Sequence, residues 1–410
     1  MKYKESTEWN VIKRTGELLA LRDTGVPKET ISDQEFYASE IVRFCREITG
    51  FPFHSSGLIT HSPAWANLEA LRWARNSINK FIGTRGVQVF GSRLVMYASA
   101  AAYPYLLNIA DLLGIGSEAV RQIRVDEHQQ MDAAQLEKWV NRDRAQGHIP
   151  FCVVATLGTP QTGAMDPCAA IYDICNRHHL WFHVDARIET AIHWTSAEHN
   201  LGPYLAKAES ISLSLEGAIP GGSPVSVSLL RNKESDTWLR RSGARALFSA
   251  EQREGNAGFS LGEAGQDPCF QRNLYETWNH LCNPTRRMQL LERNHRLAAR
   301  LQMLVEKEEW LQLMSPACAN VVCFRYNPGL LMTWEMNELN RRMVEHLQRE
   351  YPDHISLIRL QEELVLQVKL NYEIFPENKL ENLVQEVIDA GREAGKNFSW
   401  SFHMAQSQVA

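Results

Sequence analysis

The chain has 410 residues, 44% of them apolar and 22% charged, which suits a globular protein and excludes a disordered or fibrous one. Lysine and arginine number 43 against 48 aspartate and glutamate, a formal net charge of −5, so charge makes no case for nucleic acid or an anionic membrane as partner. The N-terminus is charged with no apolar signal-peptide core, and the eight cysteines are scattered without a CxxC, so reduced thiols and a cytoplasmic location are expected.

Residues 1–50 read as a helical N-terminal arm, with Phe36, Ile41, Phe44 and Ile48 at helical intervals. Over 51–283, short apolar runs alternate with amphipathic segments, the pattern of a large α/β domain on a mainly parallel sheet. Strands are expected at 94–98, 151–156, 180–184 and 226–230, with a helix over 166–178. The apolar stretch 94–115 is interrupted by Pro104, Asn108 and Asp111 and does not read as a membrane span. A charged helix over 284–306 opens a smaller C-terminal α+β domain, 284–410. Its strands are expected at 320–325, 355–360 and 364–370, and its helices at 336–350 and 378–395.

The run Gly158-Thr159-Pro160-Gln161-Thr162-Gly163-Ala164-Met165-Asp166-Pro167, followed by His183-Val184-Asp185-Ala186, is distinctive. It resembles the group II pyridoxal-phosphate-dependent amino-acid decarboxylases, the family of the glutamate, aromatic amino-acid, tyrosine and histidine decarboxylases. Gly57-Leu58-Ile59-Thr60 with Ala66-Asn67-Leu68 resembles that family's phosphate-loop segment, and Ser210-Ile211-Ser212 its approach to the cofactor lysine. Asn320 to Arg325 resembles the entry to its C-terminal domain, so the likeness runs roughly over 35–395. The resemblance implies a fold-type-I large domain, aspartate-aminotransferase-like, with a seven-stranded sheet, a smaller second domain and a homodimer. The long N-terminal segment that relatives use in dimer formation is expected to be shortened here.

The same resemblance assigns site residues. Asp185 takes the place of the carboxylate that keeps the pyridine nitrogen protonated, so that the ring can act as an electron sink. Tyr103 falls where relatives stack a histidine over the ring, and Thr159 joins Asp185 and Tyr103 as a vestigial cofactor-binding residue. A gap-free count from Ser210 puts Glu216 and Gly217 where relatives have His-Lys, and 209–232 contains no lysine, with Lys207 and Lys233 flanking it. Without an amine at Gly217 the covalent imine has no tether. In the phosphate loop, Ser62-Pro63-Ala64-Trp65 replaces a glycine-rich run; Pro63 has no N–H, and Ser62-Pro63 reads as a plain helix start. Arg187 stands where relatives have a small alanine under the ring. Residues 183, 185 and 187 share a strand face, so an Asp185–Arg187 ion pair is expected, with Tyr103 over the guanidinium.

These losses lead to an expectation that no cofactor is used. The cleft would be repurposed for cofactor-independent chemistry on a small amino-acid-like or carboxylate substrate. Arg187 would bind the anion, Asp185 or Glu216 would act as acid or base, and Tyr103 would be the fourth polar group. The alternatives are a pseudoenzyme that partners an active decarboxylase, and a decarboxylase that binds pyridoxal phosphate noncovalently. No metal is expected: His178, His179, His183, His193 and His199 cluster, but no HExxH or similar spacing exists. Gly221-Gly222-Ser223-Pro224 is no nucleophile elbow, and the basic run 240–245 reads as a solvated loop.

Overall fold

The structure, a computed structural model, describes residues 33–89, 91–194, 200–218, 225–231, 259–261, 268–281, 284–329, 331–352, 354–370 and 375–396. The expectations for 1–32, His199, 221–224, Lys233 and 240–245 lie outside these residues. The chain divides into one unit that runs to residue 160 and resumes over 164–291, and a second made of 161–163 and 292 onward.

The first unit is built on eight strands: β1 (Ser56–Thr60), β2 (Leu94–Ser99), β3 (Val120–Ile123), β4 (Ile149–Leu157), β5 (Trp181–Arg187), β6 (Ser210–Ser214), β7 (Ser226–Leu230) and β8 (Phe259–Leu261). Their order is β3-β2-β4-β5-β6-β7-β1-β8. The seven strands implied by the resemblance are joined by the three-residue β8 at one edge. Only β7 runs against its neighbours, so the sheet is mainly parallel. Every residue of β1, β2, β6 and β7 is buried, as expected of a sheet covered on both faces. Because β1, β2, β4, β5 and β6 share one direction, their carboxyl ends share one edge, where open α/β sheets bind ligands.

Helix α1 (Asp33–Thr49) sends Ile41 and Phe44 into the core, whereas Phe36 is 37% exposed. Helix α2 (Pro63–Ser77) follows β1. Ser62 caps it, its hydroxyl accepting from Ala64 N–H at 3.2 Å, and Pro63 takes the first position, so the plain helix start is what forms. Its buried Leu71 and Ala74 pack with Met96, Ala98 and Val154 of the sheet and with Leu106 and Ile109 of α3 (Tyr105–Leu112). The six described cysteines are free and buried, and no described helix is long and apolar enough to cross a membrane.

The second unit has a four-stranded antiparallel sheet in the order β11-β12-β10-β9, from β9 (Leu311–Cys318), β10 (Val321–Tyr326), β11 (Ile355–Leu360) and β12 (Glu363–Lys369). Val322, Phe324, Leu366 and Val368 face Met343 and Leu347 of α4 (Thr333–Leu347) and Leu383 and Val387 of α5 (Leu380–Lys396) in one apolar core.

Candidate active site

At the carboxyl ends of the strands, β5 delivers His183, Asp185 and Arg187 on one face, in register with Ser210, Ser212 and Ser214 of β6. Asp185 is 3% exposed. Its Oδ1 accepts from Asn67 Nδ2 of α2 at 3.0 Å, and its Oδ2 accepts from the Tyr105 hydroxyl at 2.6 Å. A carboxylate only accepts, so Asn67 must turn its NH2 toward Asp185 and its carbonyl toward His183 Nε2, 2.8 Å away. The proton of the imidazole therefore sits on Nε2, and Nδ1 accepts from Ser210 Oγ at 2.8 Å, which in turn accepts from Trp181 Nε1. The chain of donors runs from Trp181 through Ser210, His183 and Asn67 to Asp185. Strand parity predicts the alignment of 183, 185 and 187; the partners Asn67 and Tyr105 come from distant parts of the chain and were not anticipated as such.

Burial sets the charges. Desolvation pushes the Asp185 carboxyl up to about 6 against the bonds from Tyr105 and Asn67, and pushes His183 down to about 3, so its ring is neutral. The linkage signs are opposite. His183 contributes stability above its unfolded value of 6.5 that is lost as pH falls toward 3. Asp185 is favourable below its unfolded 3.8, and that advantage is lost as pH rises through 6. Between these values the two offset each other. In an Asp185→Asn variant the histidine is unopposed, so its urea midpoint is expected to drop more steeply from pH 7 to pH 4.5 than that of the unsubstituted chain; parallel profiles would contradict the assignment.

Arg187 does not pair with Asp185 as expected. Its NH1 donates to the Tyr103 hydroxyl at 3.0 Å and its NH2 lies 3.3 Å from Glu189 Oε1. The chain turns into a short 3-10 segment, Ile188–Thr190, directly after β5, and this swings Glu189 back over the guanidinium. The Glu189 charge foremost, with Tyr103 and Glu216 adding to it, raises the Arg187 pKa. Tyr103 does lie over the guanidinium, 5.8 Å from ring centroid to Cζ, and it also stacks on Tyr105 with centroids 5.1 Å apart. Glu189 had no distinguishing sequence signal beyond its closeness to Arg187.

Gly217 sits in the turn Glu216–Ala218 after β6, and an added Cβ there would collide with the Glu189 carboxylate. The space into which a side chain at 217 would grow is thus taken by an acid. Gly158, at φ +103°, lets the turn after β4 pass close to Thr190 and Arg187, and Thr159 beside it is buried. Lys207 lies at the opposite, amino-terminal edge of the strands, lining a cavity of about 440 Å³ with Pro150, Trp181, Phe182 and Glu209. Its ammonium sits over the rings of Tyr172 and Tyr204, which argues against its having moved into the tether's role. Among the described residues no group of three metal-ligating side chains occurs, and both ring nitrogens of His183 are engaged.

The sequence model described as the pyridoxal-dependent decarboxylase conserved domain matches residues 38–211. The chain is 30% identical over 289 residues to the human acidic amino acid decarboxylase GADL1, covering 68% of this chain and 54% of that protein. It is 24% identical over 332 residues to the aromatic-L-amino-acid decarboxylase of Bacillus atrophaeus, covering 80% and 67% respectively. The chain thus spans between half and two thirds of the length of these relatives. In fold it is similar to a crystal structure of Oryza sativa TDC with PLP, with a TM-score of 0.71 at 17% identity, over 93% of this chain and 80% of that one. These likenesses overturn the expectation of no cofactor: the matching domain is that of pyridoxal-dependent enzymes, and this points to pyridoxal phosphate.

The residues fit that group at one end and not at the other. Asp185 is a fixed, buried carboxylate with acceptor capacity left for a ring N–H. Thr156, Ser212, Ser214, Ser226 and Ser228, on the same sheet face, have buried hydroxyls with no hydrogen-bond partner among the described residues. The covalent tether has no fit at Gly217.

Proposed function

Because the chain belongs to the group II pyridoxal-phosphate-dependent decarboxylase family, we propose that it holds a pyridoxal-phosphate-type ring noncovalently against Asp185. When bound, that group supplies an electron sink for carbon–carbon cleavage, and the proposed substrate is an α-amino acid. The observation that carries this reading is the Asp185 carboxylate, clamped by Asn67 and Tyr105 at the carboxyl end of β5. Asn67 and Tyr105 fix its orientation, so it can hold the ring nitrogen's proton without reorganising. Tyr103, half-buried beside it, offers an aromatic face, and its hydroxyl stays protonated because desolvation raises its pKa. Arg187 is neutralised by Glu189, so it serves as packing and field rather than as a free anion clamp. A homodimer is proposed on the same family ground.

The test is a titration of the purified full chain with pyridoxal phosphate, followed by borohydride and mass spectrometry. Expected are saturable binding, no stoichiometric pyridoxyl adduct on any lysine, and at least tenfold weaker binding in Asp185→Asn, about 1.4 kcal/mol. Absence of saturable binding, or a stoichiometric adduct on a lysine such as Lys207 or Lys233, overturns the proposal. A second reading, a binding protein that partners an active decarboxylase, is favoured by the start of α2. There Pro63 has no N–H and the Ser62 hydroxyl is spent on the backbone, so little grip on a phosphate is left. Release of CO2 from any amino acid by the loaded chain would count against it.

A further inference from the structure

The cavity of about 440 Å³ at the amino-terminal edge of the sheet is of a size that suits a small molecule. It opens between the starts of β4 and β5, with Pro150 and Trp181 in its wall. Trp181 precedes Asp185 by four residues on β5, about 13 Å along the strand, so the two places do not share a small ligand.

Two opposite charges line this cavity, and neither is neutralised by the other. The exposed Lys207 holds its ammonium 5.0 Å from the ring centroid of Tyr172 and 5.6 Å from that of Tyr204, and it forms no ion pair among the described residues. Glu209 Oε2 accepts from Phe182 N–H at 2.8 Å, which fixes the carboxylate, and it too forms no ion pair among the described residues. The charge of Arg231 reaches Glu209, but its guanidinium donates to the carbonyls of Ala206 and Ala208. A dicarboxylate would set a second anion against Glu209, and a diamine a second cation against Lys207. A molecule with one charge of each sign satisfies both. Tyr172 and Trp181, each partly exposed, add aromatic surface on which an apolar side chain can rest.

We propose that this cavity binds a free α-amino acid with an apolar side chain, Lys207 taking its carboxylate and Glu209 its ammonium. The site lies beyond the reading given above and does not depend on it. No bond forms or breaks in the binding.

The experiment measures dissociation constants by calorimetry on the full chain with L-phenylalanine. Phenethylamine, which lacks the carboxylate, and 3-phenylpropionate, which lacks the ammonium, are the comparisons. The expected result is saturable binding of L-phenylalanine, with both analogues at least tenfold weaker. Lys207→Met and Glu209→Gln are each expected to weaken L-phenylalanine at least tenfold, and Asp185→Asn to leave it within about twofold. Absence of saturable L-phenylalanine binding overturns the proposal. An analogue that binds as tightly as the amino acid also overturns it, because one charge then suffices. A loss in Asp185→Asn as large as in the two cavity variants places the amino acid at the other end of β5, with the same consequence. Lys207 is exposed, so Lys207→Met keeps the fold, and unchanged binding in that variant overturns the site even if Glu209→Gln does not fold.

Discussion

A Gly217→Lys substitution is expected to leave the chain without a pyridoxyl adduct at position 217, and Gly217→Lys combined with Glu189→Ala is expected to gain one. The reason is steric and electrostatic together. A Cβ at 217 lands on the Glu189 carboxylate, so the new side chain must push Glu189 off Arg187. Once there, the lysine lies against a carboxylate that keeps it protonated, and an ammonium is no nucleophile. Removing Glu189 clears the space and leaves the amine beside the Arg187 guanidinium, which lowers its pKa instead. The check is incubation with pyridoxal phosphate, borohydride reduction and peptide mass spectrometry. An adduct at 217 of equal yield in the single variant, or none in the double variant, would show that Glu189 is not the obstacle.

Asn67→Leu is expected to be the most destabilising single change at the site. The amide is fully buried and serves both neighbours, giving two hydrogens to Pro63 O, Asp185 and the Tyr105 oxygen and accepting from His183. Leucine has a similar volume but no polar atoms, so the His183 N–H and one Asp185 oxygen lose their partners in a region that water does not reach. Each such orphan costs about 1–3 kcal/mol, more for the charged one, so a loss of about 3 kcal/mol or more is expected from urea unfolding at pH 7. A loss below about 1 kcal/mol would mean that the network contributes little to folding.

The outline of the fold was legible because its strands are buried on both faces and so read as apolar runs. The strands over 226–230 and 355–360 lie where the sequence puts them, and β4 and β5 extend only a few residues beyond expectation. Strand β6 is less apparent, since Ser210, Ser212 and Ser214 alternate with apolar residues and look half-exposed, yet every one of them is buried. At the site, period-two alternation correctly aligned His183, Asp185 and Arg187. It failed for the partner of Arg187, because the backbone leaves the strand at Ile188 and the next acid no longer follows that alternation. Asn67 and Tyr105 reach Asp185 across 118 and 80 residues of chain, a proximity that only the packing of α2 and α3 against the sheet creates.

The polar chain from Trp181 to Asp185 has a kinetic corollary. Imidazoles, hydroxyls and carboxyls pass protons along, but the amide of Asn67 does not, and among the described residues it is Asn67 that bridges His183 and Asp185. The row of hydrogen bonds is therefore a brace and not a wire. Titration of the histidine end leaves the acid end insulated, and whatever proton Asp185 trades must travel by way of the Tyr105 phenol or the ligand it holds.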